Sequence, residues 1–176
     1  TAIEQDGDVV HSKRLTRNER LNPVLEQQYR LPPGQPVDRW LDTRWSAPAT
    51  LELWVGAAAV GSPDPRSVGK RQPYAHIFTP ETERTTHYFF ATSYPTRMGE
   101  EAVRRAAADI EFLRQPFALE DQPMLEAQQA EMGDAEFWSL KPVLLAGDAP
   151  AVRARRVLDG LIQAEQQAQA VGTPST

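Results

Sequence analysis

No cysteine occurs among the 176 residues. That excludes disulfides, thiolate zinc sites and cysteine-ligated iron–sulfur clusters from this chain. It is compatible with a reducing, cytoplasmic setting, which is the compartment expected. No apolar run approaches the roughly 18 residues that a membrane-spanning helix needs, so no membrane partner is expected. Positive charge is scarce and scattered. Nineteen Lys and Arg stand against 24 Asp and Glu, for a net charge of −5 and a pI near 5.3. Nucleic acid is therefore not an expected partner. Histidine is nearly absent too, with His11, His76 and His87 alone. No two of them stand at strand or helix spacing, so sequence gives no local metal site. A Gly-rich phosphate loop and a nucleophile elbow are also missing.

What is present fits one domain over residues 1–170, with a disordered tail expected over 171–176. Ile3 to Thr16 reads as a hairpin turning at Asp6-Gly7. The Pro-rich stretch that follows is expected to be irregular, with a short helix over Val24–Tyr29. Val37 to Trp45 is rich in Trp and Arg and shows no clean period. Thr50 to Val60 alternates as a strand, with Leu51, Leu53 and Val55 on one face. Arg71–Phe78 and Thr85–Ala91 flank a loop and form the clearest hairpin. Bulky residues on both its faces place it centrally in a sheet covered on both sides. From Gly99 the period changes to 3.6, and Val103, Ala106, Ala107, Ile110 and Leu113 make an amphipathic helix. Helix continues beyond Pro116 to about Ala130, and Gly133-Asp134 breaks it. Leu140–Leu145 suggests an edge strand, and Asp148 caps a last helix with Val157, Leu158, Leu161 and Ile162 as its buried stripe. Strands first and long helices last predict an α+β domain.

One carboxylate stands out. At helical spacing Phe117, Asp121, Met124, Leu125 and Gln128 share a stripe whose apolar members mark it as the buried one. Burial of Asp121 is costly unless it is paired, hydrogen-bonded or bound to a metal. Asp121-Gln122-Pro123 also fits an N-cap with proline in the first turn. Among the histidines, His87 reads as a hydrogen-bonded member of a packed sheet. His76, just ahead of a loop, has more scope for function.

Several segments carry a resemblance: His76-Ile77-Phe78-Thr79-Pro80-Glu81-Thr82, Thr86-His87-Tyr88-Phe89-Phe90, Glu120-Asp121 with Leu125-Glu126-Ala127-Gln128-Gln129, and Val152 to Leu158. In this order and approximate spacing, from about Val37 to Gln166, the chain resembles the C-terminal catalytic region of Rieske-type non-haem iron oxygenases. It is most similar to the vanillate O-demethylase oxygenase group. The resemblance implies a helix-grip (START/Bet v1-like) fold, a curved antiparallel sheet around a long C-terminal helix. It also implies hydroxylation or O-demethylation of a small aromatic acid with O₂. The family's mononuclear Fe(II) is held by two histidines and one carboxylate, and Asp121 matches the carboxylate. By the same resemblance His76 lines the substrate pocket, with Phe117, Phe112 and Leu53 as apolar wall. A reductase or ferredoxin would supply electrons, and a homotrimer is the implied assembly.

The departures are as informative. The family's iron histidines lie in a D-x2-H-x4-H segment that this chain lacks, and its 2Fe–2S cluster belongs to a domain absent here. The chain starts at Thr1-Ala2-Ile3 without an initiator Met. It is accordingly expected to be part of a longer protein and inactive by itself. The alternative is a non-catalytic helix-grip module for an apolar or aromatic small molecule.

Overall fold

The structure, a computed structural model, describes residues 1–172. Internal contacts gather the chain into two compact units. The first comprises Thr1–Thr79, His87–Ala91 and the residues from Leu145 onward, and the second Pro80–Thr86 and Thr92–Leu144.

The first unit is built on a six-stranded sheet whose strands follow sequence order. They are β1 (Ala2–Asp6), β2 (Val9–Glu19), β3 (Val37–Ser46), β4 (Thr50–Ala59), β5 (Lys70–Pro80) and β6 (Thr86–Thr92). Neighbours from β1 to β5 pair antiparallel. The first hairpin closes where expected, with Gly7 at φ 55° in the tight turn. Helix α1 (Pro23–Tyr29) sits in the β2–β3 connection. Asn22 caps it by accepting the Leu25 N–H at 2.9 Å, and Pro23 fills the first turn. Leu21 and Tyr29 thereby meet Val37, Val55 and Ala57 in the buried core, with Leu25, Leu31, Leu41, Leu53 and Tyr74 packed around them. Helix α5 (Ala149–Gly172) packs on β2. Sheet and long C-terminal helix make this an α+β fold of the helix-grip type. Residues 173–176, most of the expected tail, lie outside the described residues; Val171 and Gly172 still belong to α5.

Strand β3 is where the sequence shows no period, and burial on both faces is the reason. Val37 and Trp40 face opposite sides of the sheet and both are buried, as is Asp38. Trp40, 1% exposed, lies against two glycines, Gly56 of β4 and Gly69 just after α2 (Pro65–Val68). Asp38 is equally buried and fully engaged. Its carboxylate accepts Arg17 Nη1 at 2.6 Å, the Asn18 N–H at 3.0 Å and the Gly61 N–H at 3.2 Å. The backbone N–H of Asn18, then the Arg17 guanidinium, hold its pKa below the usual carboxylate value. Asn18 has φ 55° inside a register shift of β2. Asp38 thus ties this bulge to the end of β4.

The β5–β6 hairpin is correctly placed but not central. Strand β6 forms the edge of the sheet, and Ile77, Phe78, Tyr88, Phe89 and His87 are exposed. Bulk on both faces did not signal cover. The rings stack on one another instead, Phe78 on Tyr88 at 5.1 Å and His87 beside Phe89 at 6.1 Å.

The second unit carries α3 (Glu100–Pro116), a π-helical turn (Phe117–Asp121) and α4 (Gln122–Met132) in unbroken succession. Glu100 and Glu101 sit in the first turn, favourable to the helix dipole. Gly133 ends α4 at φ 57°, its N–H on the Gln129 carbonyl at 3.0 Å. Leu140–Leu145 is not a strand. A 3₁₀ turn over Phe137–Leu140 precedes extended, unpaired chain there. Leu140, Val143, Leu144 and Leu145 are exposed, and the Leu145 N–H donates to the Asp148 carboxylate at 2.8 Å and not to a strand. Nor is the α3 stripe buried, because Val103 and Ile110 are exposed. Among the described residues no helix is long and apolar enough to cross a membrane.

Candidate functional site

Alternation on β4 and β5 brings the first unit's candidates together. Leu51 lies opposite His76, and Leu53 opposite Tyr74. Side chains of directly paired residues share a face, so Leu53 and His76 stand on one side of the sheet, a strand apart. Leu53 is half-buried at the margin of the core.

His76 is 7% exposed, on the only strand between β4 and the edge. Its Nδ1 lies 2.6 Å from the Tyr88 hydroxyl of β6. The two rings stack at 5.8 Å with 20° between planes. Phe78 also stacks on Tyr88, at 5.1 Å, and Tyr74 lies 6.4 Å from His76. Burial lowers the His76 pKa below the ordinary imidazole value, so the ring is neutral at pH 7. A neutral imidazole in an aromatic stack offers one donor and one acceptor nitrogen to whatever polar group meets it. Sequence reading had singled out His76 and missed Tyr88. The alternation of β6 puts Tyr88 opposite His87, and counting back across the loop brings it to the side of Phe78 and His76.

Asp121, Phe117 and Phe112 belong to the second unit. Phe117 is half-buried and Phe112 exposed. Asp121 is exposed, and so are Met124 and Leu125, so the expectation of a buried carboxylate stripe is not met. The N-cap reading is not met either. Asp121 has helical backbone angles inside continuous helix, and its side chain caps nothing. The reason lies in the two prolines. Pro116 and Pro123 lack the N–H groups that α-helical bonding would direct to Phe112 and Leu119. Between them the backbone bonds one residue further back, as the Gln122 N–H does to the Phe117 carbonyl. A turn of this kind holds an extra residue and rotates everything after it, so a stripe counted at α-helical spacing drifts off its face. Turns of this kind occur disproportionately at functional sites. That keeps Asp121 a candidate although burial no longer argues for it.

As a metal centre the residues present are incomplete. Among the described residues no three His, Cys, Asp or Glu side chains converge to hold an ion.

Comparison with known proteins identifies the setting. The chain is 40% identical over 140 residues to the oxygenase component of chloroacetanilide N-alkylformylase of Rhizorhabdus wittichii, covering 77% of this chain and 38% of that protein. It is 30% identical over 142 residues to the oxygenase component of dicamba O-demethylase of Stenotrophomonas maltophilia, covering 81% and 41%. The chain thus spans about two fifths of the length of these relatives. In fold it resembles crystalline dicamba monooxygenase bound to 3,6-dichlorosalicylic acid. The TM-score is 0.79 at 24% identity, over 94% of this chain and 47% of that one. The family model described as vanillate O-demethylase oxygenase C-terminal domain matches residues 1–164, so the chain belongs to that family, the C-terminal domains of Rieske-type oxygenase components.

Proposed function

We propose that this chain is the substrate-binding part of a Rieske-type oxygenase that hydroxylates or O-demethylates a small aromatic acid. The observation that carries the reading is the family match over residues 1–164, which takes in the His76 face and the Asp121 turn together. Bound iron would supply reductive activation of O₂. Among the described residues there is no complete iron site, and the sequence has no cysteine for a cluster. What its own residues do is bind and orient. His76 hydrogen-bonds the acid group, and Leu53 and the aromatic stack present apolar surface to the ring; Phe117 and Phe112, in the second unit, are candidates for apolar wall by the family resemblance. Asp121 serves as the carboxylate ligand of mononuclear iron, with the two histidines and the 2Fe–2S cluster furnished by sequence outside these 176 residues. Electrons would come from a reductase or ferredoxin fed by NAD(P)H, in a cytoplasmic homotrimer.

The test is turnover by the oxygenase that contains this chain, supplied with reductase, NAD(P)H and O₂ and offered hydroxy- and methoxybenzoates. Formaldehyde or hydroxylated product is expected. Asp121→Asn should strip the mononuclear iron and leave the cluster spectrum intact. Full iron content in that variant would remove Asp121 from the site. Failure to oxidise any aromatic acid would overturn the proposal.

A further inference from the structure

We propose that strand β6 pairs antiparallel with β6 of a second copy of this chain, about a two-fold axis at Phe89, so that one sheet runs through two molecules.

The two edges of the sheet are unlike. Strand β1 is short, and Glu4 and Asp6 put carboxylates on it. Short length and charge are the usual protection of a sheet edge. Strand β6 ends the sheet on the other side, and Thr86–Thr92 contains no Asp, Glu, Lys, Arg or Pro. Phe89 is 57% exposed and Tyr88 40%. An uncharged aromatic strand at a sheet edge is a template for another strand.

The sequence of the strand selects its own kind as that partner. Thr86-His87-Tyr88-Phe89-Phe90-Ala91-Thr92 reads nearly alike from either end. Turned antiparallel upon itself about Phe89, it sets Phe89 against Phe89, Tyr88 against Phe90 and His87 against Ala91. Aromatic pairs are among the favourable cross-strand neighbours, and each unlike pair occurs twice, as a two-fold contact requires. Tyr88 and Phe90 share a face of the strand, so the stack of Phe78 on Tyr88 at 5.1 Å continues into Phe90 of the second copy. Charge points the same way. Two β1 edges would bring Glu4 and Asp6 against the same carboxylates of the other copy, whereas two β6 edges bring none together. Pairing of β6 with β1 of the next copy would leave an edge at each end and run on as a fibre, while β6 on β6 closes at two copies. A three-fold assembly formed elsewhere on the molecule is compatible with this contact, and the two together generate six copies.

Sedimentation equilibrium of the 176-residue chain should give twice the 19.7 kDa of one copy at micromolar concentration. Phe89→Lys sets two ammonium groups against each other at the axis and should return the mass to one copy with the far-UV circular dichroism unchanged. Glu4→Gln, on the opposite edge, should leave the dimer intact. Because the chain has no cysteine, single replacements report the register. Phe89→Cys faces its own counterpart across paired strands, whose opposed Cα atoms lie roughly 4.5–5.5 Å apart, and mild oxidation should link it into dimers. Ala91→Cys stands four residues out of step with its counterpart, roughly 13 Å along the strand, and should stay unlinked. A one-copy mass at every concentration overturns the proposal, as do particles larger than two copies or a dimer that survives Phe89→Lys. Equal linking through Ala91→Cys and Phe89→Cys overturns the axis at Phe89. Should Phe89→Lys fail to fold, the contrast between the two cysteine variants still decides.

Discussion

Replacing Gly56 by alanine tests how closely β4 is packed against Trp40. A Cβ at Gly56 would lie 2.1 Å from Trp40 Cζ2, 2.5 Å from Cε2 and 2.6 Å from the Lys70 carbonyl oxygen. Real Cβ atoms essentially never approach within 3.0 Å, so the neighbours must move. The indole has no room to turn aside, because it is 1% exposed and Gly69 meets the neighbouring ring atom, where a Cβ would be 2.5 Å from Cη2. The carbonyl belongs to the β4–β5 ladder, in which Gly56 pairs with Arg71 and Ala57 with Lys70. Overpacking of a filled site costs about 1–3 kcal/mol. With an immobile ring and a backbone atom both in the way, Gly56→Ala belongs at the upper end, about 3 kcal/mol. For a chain of this size that corresponds to a fall in Tm of roughly 6–12 °C. Urea denaturation followed by far-UV circular dichroism gives the free energy if the slope is unchanged. Trp40→Phe in the Gly56→Ala background should restore part of the loss, so the double-mutant cycle should be strongly non-additive. A Gly56→Ala protein within about 0.5 kcal/mol of the parent would refute the packing argument, since exposed positions change by no more than that.

Three further outcomes are expected. His76 has a folded pKa below its unfolded value near 6.5, so below that pH the unfolded chain binds the extra proton; stability should fall with pH from about 6.5 downward, and His76→Gln should flatten that slope in urea midpoints measured from pH 7.5 to 5. Asp38 has the opposite origin but the same direction at lower pH: its folded pKa is depressed, so its contribution is present above about 3.9 and lost as pH falls through the folded value. Asp38→Asn should remove that acid-side loss and lower stability at pH 7, because Arg17 and two backbone N–H groups lose a charged acceptor; an unchanged urea midpoint would refute it. Anaerobic loading with Fe(II) should leave the 176-residue chain without stoichiometric iron by metal analysis, and one tightly held ion per chain would mean a ligand set not recognised here.

How much of this was legible in the residues depends on whether local pattern or tertiary setting decides each element. Asp6-Gly7, the stretch Val24–Tyr29 and the Leu51-Leu53-Val55 alternation state their structure within a few residues, and each element formed where read, the helix starting one residue earlier at Pro23. Strand β3 could not be read that way. Its neighbours β2 and β4 cover both edges of its backbone, and side chains are buried on both faces, so polarity does not alternate. Asp38 can be buried because the bulge at Asn18 and the turn at Gly61 deliver their N–H groups to it, and neither lies near it in sequence. His76 was legible as a candidate, yet its partner Tyr88 lies twelve residues away across a loop, and only the hairpin register joins them.

Asp121 shows where periodicity stops being a guide to chemistry. Counting at i, i+4, i+7 and i+8 assumes 3.6 residues per turn throughout, and two prolines seven residues apart break that assumption between them. The turn they bracket holds Phe117 to Asp121 and closes on a bond from Gln122 back to Phe117. Everything after it is rotated relative to α3, so Met124 and Leu125 no longer lie in register with Phe117 as the count supposed. An argument from burial cost therefore does not reach Asp121, which is exposed. What remains is its position, at the last residue of an irregular turn in which the helix departs from its commonest form. Such a departure forgoes regular hydrogen bonding, and sequences keep it where a side chain must project in a direction an α-helix does not give. Substitution of Pro123 by alanine returns an N–H for the Leu119 carbonyl and favours regular helix. In the assembled oxygenase that change should weaken iron binding nearly as Asp121→Asn does, while raising the helicity of α4. Undiminished iron in Pro123→Ala would show that the direction set by the turn is immaterial to Asp121.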